Sequence, residues 1–396
     1  MTGLAENART ARIEESPTLA ISAMAARMKA AGQDVVSLGA GEPDFPTPEP
    51  VAKAAIEAIE TGNYRYTAAA GIPQLRRAGA EWLRSSFGLD YAADEVMVCA
   101  GAKAALHMGL EAIVEPGDRV LILAPYWVSY PALVTLAGGE PVVLPPVPEL
   151  GMVHDGDTIE RAAREHGAKG ILLNFPNNPS GAVASPSQIG DIVAVAARND
   201  MWIVSDEIYS TLLYDGAEHR SPAAMPGGRD RTIVVNGFTK SHTLTGWRTS
   251  FLAAPAPIVA ACSRIQSQVL GNPCTISQAA MLAACEHPVP EEQRRRMAAF
   301  DARRRYLVAE INRIPGLHLS SPQGAFYALV DARELCRERG IDDLEMCRQL
   351  LENHLLAGIP GSAFAIPEFV RFSYAAAMDS LREAVLRLRA YATGDR

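Results

Sequence analysis

Between about residues 95 and 255, seven short apolar runs alternate with helix-length amphipathic stretches, and this alternation admits few architectures. The runs are EVMVCAG (95–101), RVLILAP (119–125), EPVVLPP (140–146), GILLNFP (170–176), WIVSDEIY (202–209), TIVVNGF (232–238) and SFLAAP (250–255). Several are apolar almost without interruption, as strands are when helices cover both faces of a parallel sheet. The pattern predicts an α/β fold with one large, mostly parallel seven-stranded sheet between helices. After about residue 275 the character changes to charged helical stretches such as PEEQRRRMAAFDARRRYLVAEINRI, then a strand pair around GAFYALVD and FVRFSYA. That part reads as a smaller α+β domain, and the helix-like stretch near 17–31 is expected to fold back onto it. The expected division is 46–284 for the large domain, with 1–45 and 285–396 forming a discontinuous small one.

Composition removes several classes of function. A formal charge of −8 and the absence of any basic run argue against a nucleic acid or an anionic membrane as partner. The six cysteines show no CxxC or CxxH spacing, so neither a zinc site nor a disulfide framework is indicated. No apolar run reaches membrane-spanning length, and the first residues lack the apolar stretch of a secretory signal. A cytoplasmic protein is expected. GxGxxG and GxxxxGK[ST] are both absent, which counts against a dinucleotide or a nucleoside triphosphate.

Ligands of open α/β sheets collect beyond the carboxyl ends of the strands, and the polar residues of this chain fall there. Gly101, Ala102 and Lys103 form a small-residue turn from strand to helix, suited to cradle an anion or simply to turn the chain. Trp127 in PYWVSYP can stack on a flat ring or pack in the core, and Asn178 in NNPSG offers an amide at the cleft. Asp206 ends a buried strand, where a carboxylate needs a cation, a hydrogen-bonded cap or a structural arginine. Tyr209 follows three residues later. Lys240 and Arg248 lie eight residues apart in GFTKSHTLTGWR, an amine to condense with an aldehyde and a planar cation to grip a phosphate. Pyridoxal phosphate carries both groups, and its protonated pyridine nitrogen would supply the cation that Asp206 needs. Arg371, within an apolar strand, fits a bidentate grip on a carboxylate or a structural ion pair.

Taken in order, SLGAGEPDFPTP, YRYTAAAGIPQLRRA, AGAKAAL, PGDRVLILAPYWVSYP, NFPNNPSGAV, IVSDEIY, FTKSHTLTGWR, PQGAFYALVD and VRFSYA resemble the class I pyridoxal-phosphate aminotransferases of fold type I, within them the bacterial aspartate aminotransferase-like subgroup. The resemblance runs from about residue 37 to 374. It implies that Lys240 forms the Schiff base and shuttles a proton between substrate Cα and cofactor C4′, in a ping-pong transfer of an amino group from an amino acid to a 2-oxo acid. It further implies Asp206 at the pyridine nitrogen, Tyr209 and Asn178 at the phenolic oxygen, Trp127 against the ring, and Gly101, Ala102, Lys103 and Arg248 at the phosphate. Arg371, Asn178 and the backbone of Gly41 would take the substrate carboxylate. Tyr66 would reach the neighbouring subunit's phosphate in a homodimer with shared active sites. A lyase acting on the same bound amino acid is the alternative.

The chain departs from the subgroup at Thr243, Thr249 and Ser250, where small or apolar residues are expected; this puts fine positioning in question. Where dicarboxylate-using members would present a basic residue, it has Glu14 and Glu111, with the hydroxyl of Thr18 close by. Either both glutamates point to solvent and aspartate is the donor, or they line a distal pocket that repels a second carboxylate and admits a neutral, aromatic or cationic side chain.

Overall fold

A computed structural model describes residues 6–7, 10–13 and 17–394. Helix α1 (Pro17–Ala30) and a short strand β1 (Val36–Ser37) precede α2 (Glu49–Glu60) and α3 (Pro73–Phe87). The seven apolar runs then appear as β2 (Val96–Cys99), β3 (Arg119–Leu123), β4 (Glu140–Leu144), β5 (Gly170–Asn174), β6 (Trp202–Asp206), β7 (Thr232–Asn236) and β8 (Ser250–Ala253). Each strand stops short of its apolar run. The leftover residues, among them Gly101, Pro125 and Pro176, form the turns at the carboxyl ends. The seven make one sheet in the order β2-β8-β7-β6-β5-β3-β4. Strands β3 to β7 are parallel, while β8 runs antiparallel to both its neighbours, β2 and β7.

The uninterrupted apolar character of the strands has its expected cause. Along β3, Ile122 packs on one face with Leu106, Val204 and Leu252, while Leu121 packs on the other with Ile159, Ile171, Ile189 and Ile203. Successive side chains point to opposite faces, so a strand covered twice has no position left for water. The first face is covered by α4 (Ala102–Ile113), α5 (Tyr130–Leu136) and α8 (Ala256–Val269). The second is covered by α6 (Gly156–His166) and α7 (Pro186–Arg198).

Two further helices, α9 (Thr275–Glu286) and α10 (Pro290–Ile311), lead to the smaller part of the fold. There β9 (Tyr327–Asp331) is followed by α11 (Arg333–Arg339), α12 (Asp343–His354), β10 (Leu356–Ala357), β11 (Ile359–Pro360), β12 (Phe369–Ser373) and α13 (Met378–Thr393). The expected strand pair is present as β9 and β12, antiparallel, with β11 added on the free side of β12. The N-terminal stretch does fold back: β1 pairs in parallel with β10, and α1 packs against β10 and β11. The charged stretch expected as a helix is α10, which buries Arg296, Arg303 and Arg304. Arg303 meets Asp44 through two bonds of 2.7 and 2.8 Å, and Arg304 meets Asp215 through two of 2.7 and 2.9 Å.

Candidate active site

The site is assembled at the carboxyl ends of the central strands. β6 lies between β5 and β7, so the carboxylate of its last residue, Asp206, is 4% exposed. One oxygen accepts from the Tyr130 hydroxyl at 2.9 Å and the other from the Ile208 N–H at 3.3 Å. Burial outweighs both bonds and pushes the carboxyl pKa up to about 6. Asn174, the last residue of β5, donates to the Asp206 carbonyl and accepts from the Asn178 N–H, both at 2.9 Å. The turn holding Asn178 is therefore registered on the strand that holds Asp206.

The loop from β7 to β8 carries Lys240, whose Nζ donates to the Gly41 carbonyl at 2.6 Å and stands 5.8 Å from the Tyr209 ring. Burial pushes the amine down to about 8, against the pull of Asp206. Arg248 closes the loop in a left-handed conformation, φ 52°, and lies over Gly101. Gly101 itself has φ 91°, and a Cβ there would come within 2.7 Å of Arg248 Nη2. Only glycine permits both features. α4 starts directly after it, so the first backbone N–H groups of that helix and the Arg248 guanidinium face the same space. Lys103, in the first turn of α4, sits 4.9 Å over the Trp127 ring.

Arg371, on β12, enters from the small sheet. It is 3% exposed, donating to Asn178 Oδ1 at 2.9 Å and to the Gly39 carbonyl at 2.6 Å, while its Nε has no hydrogen-bond partner. Its guanidinium lies 4.6 Å from the Tyr327 ring and 4.9 Å from that of Phe364. Among the described residues no carboxylate forms an ion pair with Arg371 or with Arg248. Arg371 is thus a buried cation without a counter-ion, an arrangement that recruits an anion, whereas Arg248 is exposed.

Gly41, Ala102, Lys103, Trp127, Asn178, Asp206, Tyr209, Lys240, Arg248 and Arg371 all line one cavity of about 430 Å³. Its size suits a small cofactor with its substrate. Gly101 lies just behind the wall, under Arg248. Tyr66 is not part of the cavity; it is 97% exposed. Glu111 does not line the cavity either. It is nine residues beyond Ala102 on α4, roughly 13 Å along the axis at ~1.5 Å per residue, exposed and 3.8 Å from His107. Its expected place in the substrate pocket is therefore wrong: helix rise carries it out of reach. Glu14 lies outside the described residues, as does the Thr18 side chain.

Tyr130, Asn174 and Tyr327 were not singled out from sequence, yet all three line the cavity. Tyr327 and Tyr209 share a 2.8 Å bond between their hydroxyls across 118 residues of chain. Local sequence carries no signal for such a pair. Tyr130 had one, since it stands three residues after Trp127 in the same turn. The questioned residues Thr249 and Ser250 lie away from the cavity. Thr249 donates to Met281 Sδ at 2.9 Å, and the Ser250 hydroxyl is buried with no partner.

Residues 33–388 match the family model described as aminotransferase class I and II. The chain belongs to this family. The aspartate aminotransferase of Bacillus subtilis is 38% identical over 386 residues, covering 97% of this chain and 98% of its own. The aspartate/prephenate aminotransferase of Cereibacter sphaeroides is 38% identical over 392 residues, with 97% and 98% covered. Among solved structures, the aspartate aminotransferase of Rhizobium meliloti superposes with a TM-score of 0.94 at 36% identity, covering 99% of both chains. That of Thermus thermophilus with maleate gives 0.92 at 38% identity, covering 98% and 99%. This aminotransferase has fold type I and depends on pyridoxal 5′-phosphate, and the relatives' names support amino-group transfer over a lyase reaction.

The residues present fit that cofactor. Asp206 is a buried carboxylate that forms no ion pair among the described residues, with Lys240 acting on it only at longer range, and a ring N–H⁺ would complete it. Arg248 and the start of α4 converge over a glycine that leaves room for phosphate. Lys240 keeps an amine that is partly unprotonated near neutral pH.

Proposed function

We propose that this aminotransferase takes a dicarboxylic amino acid, aspartate above all, as amino donor. The observation that carries the proposal is the charge of the cavity, lined by Lys103, Lys240, Arg248 and Arg371 against the single carboxylate of Asp206. Arg248 would serve the phosphate, Arg371 the α-carboxylate and Lys240 the chemistry. Lys103 then remains for a second carboxylate. Opposite charges at ~4 Å attract by about 4 kcal/mol at an effective dielectric near 20, the reverse of the repulsion expected from Glu14 and Glu111. The names of the relatives support the same donor.

When bound, the cofactor supplies an aldehyde to receive the amino group and a ring that withdraws electrons from the substrate Cα. Asp206 would keep the ring nitrogen protonated, and Tyr209 with Asn178 would donate to the phenolic oxygen. Trp127 would cover one ring face. Arg248, with the backbone of Gly101, Ala102 and Lys103, would hold the phosphate. Arg371 would bind the α-carboxylate through its unused donors, assisted by Asn178 and Gly41, which orients Cα–H toward Lys240. Lys240 would be the residue joined to the cofactor aldehyde, and its amine, when free, would be the base that takes and returns the substrate's Cα proton.

Two subunits sharing their sites belong to the same reading. Tyr66 is 97% exposed and Tyr64, two residues away, 58%; their segment is bonded to the chain around exposed Val269 and Leu270 through Gln266 at the Ala69 carbonyl and Thr275 at the Arg65 carbonyl. Such apolar exposure suits an isologous interface, with Tyr66 reaching the partner's phosphate. The large domain would span 46–284, with 1–45 and 285–396 closing over it. No described helix is long and apolar enough to cross a membrane, which accords with a cytoplasmic enzyme.

The decisive experiment is a donor panel scored by the half-reaction, following the cofactor absorbance with aspartate, glutamate, alanine, phenylalanine and arginine. Aspartate should lead, and Lys103→Ser should lower kcat/KM for aspartate about tenfold or more while leaving alanine within about twofold, the scale of one charged contact. A parent enzyme that prefers arginine or phenylalanine would refute the donor. Sedimentation of the holoenzyme as a single 42.4 kDa species would refute the dimer.

A further inference from the structure

Three residues beyond Lys240, Thr243 adopts a left-handed backbone with φ 55°. A β-branched residue rarely does so, because Cβ and its branches crowd the adjoining peptide groups. The contacts that hold it there reach across the molecule. The Thr243 carbonyl accepts from Thr47 Oγ1 at 3.0 Å, and Thr47 Oγ1 in turn accepts from Trp247 Nε1 at 3.1 Å. The Thr243 hydroxyl accepts from Arg296 Nη1 at 3.1 Å. Arg296 is 5% exposed, and it also donates to the carbonyls of Ser241 at 3.4 Å and Pro46 at 2.5 Å. One buried guanidinium on α10 thus ties the lysine loop to the segment before α2. A few residues upstream, that segment supplies the Gly41 carbonyl to Lys240 and the Gly39 carbonyl to Arg371.

We propose that Thr243 is a positioning residue for Lys240, and that its hydrogen bond from Arg296 holds the loop in a turn it would otherwise leave. The inference rests on Lys240 being the reacting amine. The hydroxyl is the operative group: the methyl and the β-branch oppose the left-handed conformation, whereas the oxygen anchors it. A residue chosen only to fill space would be replaced without loss by valine, which has the same shape.

The test compares Thr243→Val with Thr243→Ser in the holoenzyme. Three quantities are read: the dissociation constant of pyridoxal phosphate by absorbance titration, the half-reaction rate constant with aspartate, and the KM for aspartate. Valine should weaken cofactor binding about tenfold and lower the rate constant about tenfold with KM within about twofold, the scale of a lost hydrogen bond to a charged donor. Serine, which keeps the oxygen, should stay within about twofold of the parent in every quantity. Valine matching the parent, or serine falling as far as valine, would overturn the inference. Lys240→Ala run alongside separates the two levels. If it retains the half-reaction, the assignment of the amine fails; if it is inactive and Thr243→Val matches the parent, only the role of Thr243 fails.

Discussion

Replacing Asp206 by Asn should stabilise the cofactor-free protein while crippling the loaded enzyme. In the unloaded fold the carboxylate is buried with two hydrogen bonds and, among the described residues, no ion pair, and its pKa stands at about 6 rather than 3.8 even against the pull of the Lys240 amine. At 1.36 kcal/mol per unit, that rise corresponds to about 3 kcal/mol spent keeping the group ionised in the folded state. The sign follows from proton counting. Between pH 3.8 and about 6 the folded state binds more protons here than the unfolded state, so the contribution of this group to stability falls as pH rises through that window. Above about 6 the full cost is present, and below 3.8 it vanishes. Asparagine can keep the bond from the Ile208 N–H through its Oδ1 and donate from its Nδ2 to the Tyr130 hydroxyl oxygen, all without ionising.

The assay is thermal unfolding of cofactor-stripped parent and Asp206→Asn, followed by circular dichroism from pH 4.5 to 8. The variant should gain several degrees at pH 8, given the few degrees per kcal/mol typical of domains of this size or smaller, and the gain should shrink toward pH 4.5. Adding pyridoxal phosphate should reverse the order. The parent then gains a charge pair worth about 4 kcal/mol at ~4 Å, or roughly a thousandfold, and the variant does not. A variant less stable than the parent at pH 8 without cofactor, or a gain that does not change with pH, would refute the claim that Asp206 is held ionised at a cost for the sake of its ligand.

Arg371→Lys keeps the charge but loses the planar fork, and should cut kcat/KM for aspartate by about 10²–10⁴-fold, the worth of one to two charged hydrogen bonds; a loss under about threefold, measured in the same half-reaction, would remove it from the carboxylate site. In the cofactor-free protein, the amine of Lys240 lies at about 8, so the rate of pyridoxal phosphate uptake should climb about tenfold per pH unit up to that point and level off above it. Stopped-flow absorbance from pH 6.5 to 9.5 checks this, and a rate still climbing tenfold per unit beyond pH 9 would place the amine at its ordinary value instead. The sign for stability runs the same way: with the amine's pKa lowered by burial, the folded state binds fewer protons above about pH 8, so this group's burial cost is relieved as pH rises from there toward 10.5.

The parts of the site that were legible in sequence share a physical property: each is a polar group that an apolar strand or a strand end makes expensive. Asp206 ends WIVSD, Arg371 interrupts FVRFS, and Lys240 follows TIVVN, so burial followed from the strand and a ligand followed from burial. Glu111 had no such anchor. It stands on α4, whose rise takes it away from the cleft, and its partner is His107 on the same helix. Tyr327 was hidden for the opposite reason. A tyrosine in a strand is an ordinary core residue, and only the fold shows its hydroxyl at 2.8 Å from that of Tyr209 with Arg371 above its ring.

The segment from Gly39 to Thr47 brings these strands of argument together. Its carbonyl groups accept from Arg371 at Gly39, from Lys240 at Gly41 and from Arg296 at Pro46, and its Asp44 and Thr47 meet Arg303 and Thr243. Three of those partners come from later elements, Arg296 and Arg303 from α10 and Arg371 from β12, and two, Lys240 and Thr243, come from the lysine loop. A Cβ at Gly41 would stand 2.5 Å from the Tyr327 hydroxyl, so the segment can approach the site this closely only with glycine there. A carboxylate bound through the unused donors of Arg371 would leave the bond to the Gly39 carbonyl in place, whereas an aldehyde that captured the Lys240 amine would remove the bond to Gly41. Capture of the amine would therefore free the segment at Gly41, while the Arg371 contact at Gly39 and the Arg303 and Arg296 contacts at Asp44 and Pro46 hold it on either side. The Lys240 amine and the Arg371 guanidinium are thus linked through one nine-residue segment, so under the proposed roles a change at the reacting amine would be felt at the carboxylate site.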